Sequence, residues 1–475
     1  MDRREYLKTL AVGSLSSSFL LESCENNPKT LTENAVSNST LSQRGVKASQ
    51  TVLRVDFDLY FQAAANLYHE VDNPGGAFPL NVAENKLNWS LLKDKLEQLT
   101  SQNPISSWVA NYTDSVGSPT SREVMAKFLS KHLTKCPVDP TQIGLSPGAT
   151  SVICLSSWIL GETGDVAVFP APCYSVYKQD IGNKAGMERY DLITHHELTD
   201  LKNGPLLTID HLDKALNDIQ SQGKRMRMLV ITNPDNPTGG IYTKEQLEAF
   251  TDWCIARKIH LVVNEIYALS QIDTSHPNIK DDYKDNIEFF SFANIMNERK
   301  SDYLHRWYAL SKDFGASGFR VGVVHSMNKD FLAAYNNLNG PSMVSNYTQW
   351  IFELALADDE FVENYITTNK KLLTANYATA VTALKKLNIP YVPARGSLFV
   401  WLDLSEFLDG NTQEAESKFW MELYEQTGVL LTPGDGFGHT KHGQFRLVYS
   451  YVPQNHLEVA MSRLGDFVGK KRSHL

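Results

Sequence analysis

A lysine that can be held neutral and an arginine one short loop away are the residues whose types and spacing point to covalent chemistry. Lys312 follows the apolar run Trp307-Tyr308-Ala309-Leu310 and precedes a loop carrying Gly315 and Gly318. An apolar flank strips water from an amine, and a neutral amine attacks a carbonyl carbon to give a Schiff base. Arg320, eight residues further on, is carried out of the loop by Gly318-Phe319 and offers a fork of donors to a phosphate near that amine. An aldehyde that also bears a phosphate satisfies both groups, and pyridoxal phosphate is a cofactor of that description. Read alone, Ser311-Lys312-Asp313 is equally compatible with a surface turn, because short motifs recur by chance. The elements around it decide.

Gly148-Ala149-Thr150 precedes an apolar helical stretch, residues 151–160, and a glycine-bearing turn at a helix N-terminus presents free N–H groups to an anion. Residues 165–169 read as a buried strand closed by Pro172-Cys173-Tyr174, which places an aromatic ring at the carboxyl end of a strand, the ligand side of open α/β sheets. A packing tyrosine is the plainer alternative. Residues 226–232 form the next strand and run into Asn233-Pro234-Asp235-Asn236-Pro237-Thr238-Gly239, whose prolines restrict the backbone and aim the Asn236 amide. Thr243 and Gln246 then predict a capping box for a helix reaching about Arg257. Residues 259–263 are a further buried strand, ending in Asn264-Glu265-Ile266-Tyr267. Strands alternating with helices at this spacing predict a mostly parallel sheet covered on both faces.

Upstream, Asn85 reads as an N-cap, and the turn-rich loop at residues 112–119 leads into an amphipathic helix with Val124, Met125, Phe128 and Leu129 inward. Beyond Gly340 the pattern changes to long helices (350–356, 361–387), an alternating strand (397–404), Phe445-Arg446-Leu447-Val448-Tyr449 and a closing helix from Asn455, a second α+β domain.

The chain has 475 residues, 42% hydrophobic and 21% charged, enough for two domains with sizeable cores. A net charge of -9 argues against a nucleic-acid surface, which draws affinity from clustered Lys and Arg. The five cysteines show neither CxxC pairing nor disulfide density, so no metal site is expected from them. Residues 1–24, with Arg3-Arg4, a mild apolar run and Cys24, resemble a twin-arginine export signal with a lipoprotein-type cysteine. Glu22 departs from the usual lipoprotein pattern. The expected location is extracytoplasmic, periplasmic or lipid-anchored at Cys24, the alternative being a cytoplasmic protein with a chance Arg-Arg start. Residues 25–50, rich in Ser, Asn and Thr, read as a flexible tether.

Taken in order, Gly148-Ala149-Thr150, Pro172-Cys173-Tyr174, the Asn233–Gly239 turn, Ser311-Lys312 with Arg320, and Phe445-Arg446 resemble the class I/II aminotransferases of pyridoxal-phosphate fold type I. Ala83-Glu84-Asn85, Glu265-Ile266-Tyr267 and the Lys312 loop look most like the branch containing the aminocyclopropane-carboxylate synthases. The resemblance implies a large domain (106–340) with a mostly parallel seven-stranded sheet between helices, a smaller α+β domain (341–475), and an N-terminal arm with part of the small domain (51–105). It implies that Lys312 holds the cofactor as a Schiff base and moves the proton at the substrate Cα. Tyr174 would stack on the cofactor ring, while Asn236 and Tyr267 would bond its phenolic oxygen. Arg320 and the amides of Gly148, Ala149 and Thr150 would hold the phosphate, with Ser311 beside them. Arg446 would clamp the substrate carboxylate, Glu84 would lie near the substrate, and the protein would be a homodimer. Three positions depart from the family: Asn264 stands for the aspartate facing the pyridine nitrogen, Ala309 for a phosphate-binding serine, and Ser115 for a tyrosine reaching from the partner subunit.

The leading expectation is therefore a pyridoxal-phosphate enzyme acting at Cα of an α-amino acid, most simply an aminotransferase with a 2-oxo acid acceptor. The alternatives are an aminocyclopropane-carboxylate synthase-like lyase or cyclase, and a cofactor-binding protein with weak turnover because of Asn264. An exported solute-binding lipoprotein fits residues 1–24 but leaves Lys312, Asn236 and Arg446 without a role.

Overall fold

The computed structural model describes residues 40–50, 56–285 and 287–473. Arg3, Arg4, Cys24 and the first part of the tether lie outside the described residues. The tether's last eight residues, Gln43–Gln50, are helical, with Val46 buried.

Seven strands form the central sheet: β2 (Ile143–Ser146), β3 (Val166–Ala171), β4 (Glu188–Ile193), β5 (Met226–Thr232), β6 (His260–Asn264), β7 (Leu304–Ala309) and β8 (Gly322–Ser326). Their order is β2-β8-β7-β6-β5-β3-β4, and β8 alone among these seven runs in the reverse direction to the other six. Side chains alternate across a strand, and here the alternation sorts the core into two layers. Val166, Val168, Leu229, Ile231, Leu261 and Val263 pack with helices Ile209–Ser221 and Lys244–Arg257. Ala167, Phe169, Met228, Val230 and Val262 pack on the other face, with helices Gly148–Leu160 and Tyr177–Gly182. Burial on both faces explains why β3, β5 and β6 read as apolar runs rather than as alternating patterns.

Polarity of the strands gathers the motifs at one edge. β2, β3, β5, β6 and β7 all deliver their carboxyl ends there, and Arg320 arrives at the same edge because β8 starts where its neighbours stop. The capping box forms as expected, with Gln246 N–H donating to Thr243 Oγ1 at 3.2 Å and Thr243 N–H to Gln246 Oε1 at 2.9 Å. The helix expected from 151 begins at Gly148, so Gly148-Ala149-Thr150 form its first turn.

The smaller sheet, β11 (Thr432–Pro433), β12 (Gln444–Val448) and β9 (Phe399–Asp403), is antiparallel, with β1 (Phe78–Pro79) and β10 (Val429–Leu430) paired beside it. All of β9 is buried, so its alternating sequence marks two covered faces rather than one wet one. Packing links the units through helix Asp359–Lys386: Phe361, Val362 and Tyr365 join the core around Phe128 and Tyr308, whereas Leu373 and Tyr377 join the core around Phe399 and Leu447. Helix Trp89–Gln102 buries Leu92, Leu96 and Leu99 in the first of these cores. Asn85 does not cap that helix: its N-cap is Asn88, and Asn85 is buried with its Nδ2 donating to Asn369 Oδ1 at 2.8 Å. A polar residue before an apolar run suggested a cap; a partner 284 positions away decided otherwise.

Candidate active site

Lys312 lies on the short helix Leu310–Asp313, directly after β7. Its Nζ donates to the Ala83 carbonyl at 2.5 Å, so residues 83–85 form a wall of the site. Beneath it, the buried Asp313 carboxyl accepts from Ser270 Oγ at 2.6 Å and Leu269 N–H at 3.0 Å, which pins the lysine's helix; burial pushes this carboxyl up to about 7. Ser311 is buried, and its carbonyl accepts from Ser317 Oγ at 2.9 Å.

The edge beside Lys312 is shaped for an anion. Helix Gly148–Leu160 starts after Pro147 with no side chain bonding its first N–H groups. Gly148 has φ +80°, and a Cβ there would come within 2.3 Å of the Arg320 guanidinium. Arg320 Nη2 donates to the Pro147 carbonyl at 3.2 Å and Nη1 to the Ser317 carbonyl at 2.9 Å. Uncapped N–H groups, a helix dipole and a guanidinium in one cradle that only glycine leaves open make a donor set suited to a phosphate.

Arg446 on β12 is 2% exposed. Its Nη1 donates to Asn236 Oδ1 at 3.0 Å and its Nη2 to the Asn81 carbonyl at 2.8 Å, with the Phe399 and Phe437 rings 4.4 and 5.3 Å from the guanidinium carbon. Asn236 Nδ2 in turn donates to the Tyr267 hydroxyl at 3.4 Å. Burial raises the Tyr267 phenol well above its ordinary range, so it stays protonated and can donate. Thus Asn236, Tyr267 and Arg446, spread over 210 positions, meet where the two domains join.

Tyr174 is half-buried at the end of β3, its ring edge-on to Tyr177 at 5.2 Å. Glu84 Oε2 lies 3.3 Å from Lys86 Nζ and accepts from the Tyr60 hydroxyl at 3.5 Å. Asn264 Nδ2 donates to the Tyr177 hydroxyl at 2.9 Å, and its Oδ1 accepts from Ile266 N–H at 3.3 Å. Glu265 turns away from it, into a buried ion pair with Arg306 at 3.2 Å. Ala149 is half-buried and Thr150 exposed on the first turn of their helix. Ser115 is held within its own chain, its hydroxyl donating to Asn336 Oδ1 at 2.6 Å. Sequence reasoning missed the Ala83 and Asn81 carbonyls, which carry no side-chain signal, and the hydroxyls of Tyr177 and Thr232. Tyr177 had a faint signal in standing three residues after Tyr174, one turn further along.

Residues 79–464 match the family model "Aminotransferase class I and II". The chain is 31% identical over 423 residues to 1-aminocyclopropane-1-carboxylate synthase 7 of Arabidopsis thaliana, covering 86% of this chain and 90% of that protein. It is 30% identical over 451 residues to a probable inactive 1-aminocyclopropane-1-carboxylate synthase-like protein 2 of Mus musculus, covering 93% and 74%. Among solved structures, an archaeal alanine:glyoxylate aminotransferase (TM-score 0.73, 19% identity, covering 91% and 98%) and the aspartate aminotransferase of Thermotoga maritima (0.69, 20%, 90% and 100%) share the fold. The phosphate cradle beside Lys312 and these matches agree: the chain belongs to the class I and II aminotransferase family, on its 1-aminocyclopropane-1-carboxylate synthase branch, and is a pyridoxal-phosphate-dependent enzyme of fold type I.

Proposed function

We propose that the protein transfers the amino group of an α-amino acid to a 2-oxo acid, and that Asn264 makes this transfer slow. The observation that carries the reading is that the Arg446–Asn236–Tyr267 chain and Lys312 bond carbonyls of one short segment, Arg446 that of Asn81 and Lys312 that of Ala83. Arg446, on its two-aromatic bed, binds and orients the substrate carboxylate as a fork. The amides of Gly148, Ala149 and Thr150, with Arg320, would hold the phosphate of pyridoxal phosphate; Tyr174 would cover its ring, and Asn236 and Tyr267 would bond its phenolic oxygen. Bound there, pyridoxal phosphate supplies the electron sink for charge at the substrate Cα. Lys312 Nζ moves the proton at that carbon, as a positioned general base. Asn264, an amide, would donate to the ring nitrogen, where a carboxylate would hold it protonated.

The synthase relatives favour a second reading, in which the same site eliminates and closes a ring. The test is to incubate the protein with single amino acids, with and without a 2-oxo acid, and to follow the absorbance and the products. Amino-group transfer is the expected result; 1-aminocyclopropane-1-carboxylate as main product would replace the first reading by the second. No spectral change and no product with any amino acid would end both.

We also propose a homodimer joined through the loop at residues 112–119, where Tyr112 stands 99% exposed. Sedimentation should give twice the chain mass, and a monomer with undiminished cofactor affinity would contradict it. Finally, we propose export by the twin-arginine route, which moves folded proteins and so suits a cofactor acquired before export. Replacing Arg3 and Arg4 by lysine should hold the precursor inside the cell; an unchanged location would refute the signal.

A further inference from the structure

Resting on the reading that Asn264 meets the cofactor's ring nitrogen, we infer that Tyr177, oriented by Thr232, is a positioning residue that locks Asn264 as a hydrogen-bond donor toward that nitrogen. Thr232 and Asn264 are register partners at the ends of β5 and β6. Strand alternation puts both on the face carrying Val230 and Val262, which helix Tyr177–Gly182 covers. From that helix the Tyr177 ring stacks on Phe169, centroids 4.5 Å apart, and is 1% exposed. Its hydroxyl lies 2.9 Å from Thr232 Oγ1 and 2.9 Å from Asn264 Nδ2.

Donor and acceptor roles decide the direction of this chain. The Ile266 N–H can only donate, so the Asn264 oxygen must face it. The Asn264 nitrogen, also a donor only, is thereby turned to Tyr177, whose oxygen accepts and whose own proton is left available to Thr232 Oγ1, a pair in which either hydroxyl can donate. A flipped amide would set two N–H groups against each other at Ile266 and leave a buried donor unmet. Burial keeps the Tyr177 phenol protonated, so the relay does not reverse by losing its proton. An amide nitrogen carries two hydrogens; Tyr177 takes one, and the second is left to meet a ligand. Such a donor stabilises an unprotonated ring nitrogen. Asparagine and tyrosine therefore act as a pair, each making the other's polarity necessary.

A double-mutant cycle on cofactor affinity tests this, with the full-length chain titrated with pyridoxal phosphate and melting temperature as the folding control. Tyr177→Phe keeps the ring on Phe169 and removes only the hydroxyl. It should weaken affinity roughly fivefold in the wild-type background and have no effect in the Asn264→Ala background, where no amide remains to be held. Equal losses in both backgrounds would mean that Tyr177 only packs, and would overturn the inference alone. Should the phenylalanine variant not fold, Thr232→Val, which removes the acceptor for the Tyr177 proton, takes its place with the same expected pattern. Independently, protein loaded with cofactor labelled with 15N in the ring should show an unprotonated nitrogen by NMR. A protonated nitrogen in the wild type overturns the inference, and a chain that takes up no cofactor overturns the functional reading with it.

Discussion

Lys312→Ala is expected to give a protein that still binds pyridoxal phosphate but releases it on dialysis and no longer retains it after borohydride. Turnover should fall by roughly 10²–10⁴-fold from the lost proton transfer alone. The grip on the phosphate does not pass through this side chain: Arg320 is anchored to the Pro147 and Ser317 carbonyls, and the first turn of helix Gly148–Leu160 is intact without Lys312. Nor should the fold suffer, because Asp313, Ser270 and Leu269 hold the short helix from below. What disappears is the amine beside the Ala83 carbonyl. Undiminished turnover, with borohydride fixing the cofactor to another lysine, would show that the chemistry is centred elsewhere.

Asn264→Asp should raise amino-group transfer, because a carboxylate at this position stabilises a protonated ring nitrogen. Each pKa unit of that stabilisation is worth about 1.4 kcal/mol, roughly a tenfold change in the equilibrium. The surroundings accept the change, since both partners of the amide can serve a carboxylate. Ile266 N–H already donates to this side chain, and the Tyr177 hydroxyl can turn its proton from Thr232 to the new oxygen. The variant should therefore fold normally, its new carboxyl ionised where a protonated ring nitrogen stands against it. If the natural reaction depends on a weak electron sink, the same variant will trade native product for amino-group transfer. Equal rates and equal product ratios in the two proteins would mean that Asn264 does not face the ring nitrogen.

Much of this was legible in the chain itself. Three strands of the central sheet (β3, β5 and β6), the capping box at Thr243 and Gln246, and the clustering of motifs after strand ends follow from local rules of periodicity, capping and turn chemistry. These rules work because a strand or helix end is set by residues close in sequence. They also failed where a long-range partner intervened. Asn85 has the type and place of a cap, yet its amide is used by Asn369; the segment at 397–404 alternates like a half-exposed strand, yet β9 is buried on both sides.

By itself, the amino-acid sequence determined the α/β architecture, the reactive lysine with its phosphate-binding arginine, and the replacement of an expected aspartate by Asn264. Tertiary structure decided what those residues do to one another. Arg446 meets Asn236 across 210 positions and Asn264 meets Tyr177 across 87, and no local pattern predicts either contact. Direction in a hydrogen-bond chain is settled by its neighbours: the Ile266 N–H, fixed by the backbone after β6, turns the Asn264 amide, and only the packed helix beneath brings a hydroxyl to receive it. Residue type sets which atoms can donate, and the fold sets which of them must.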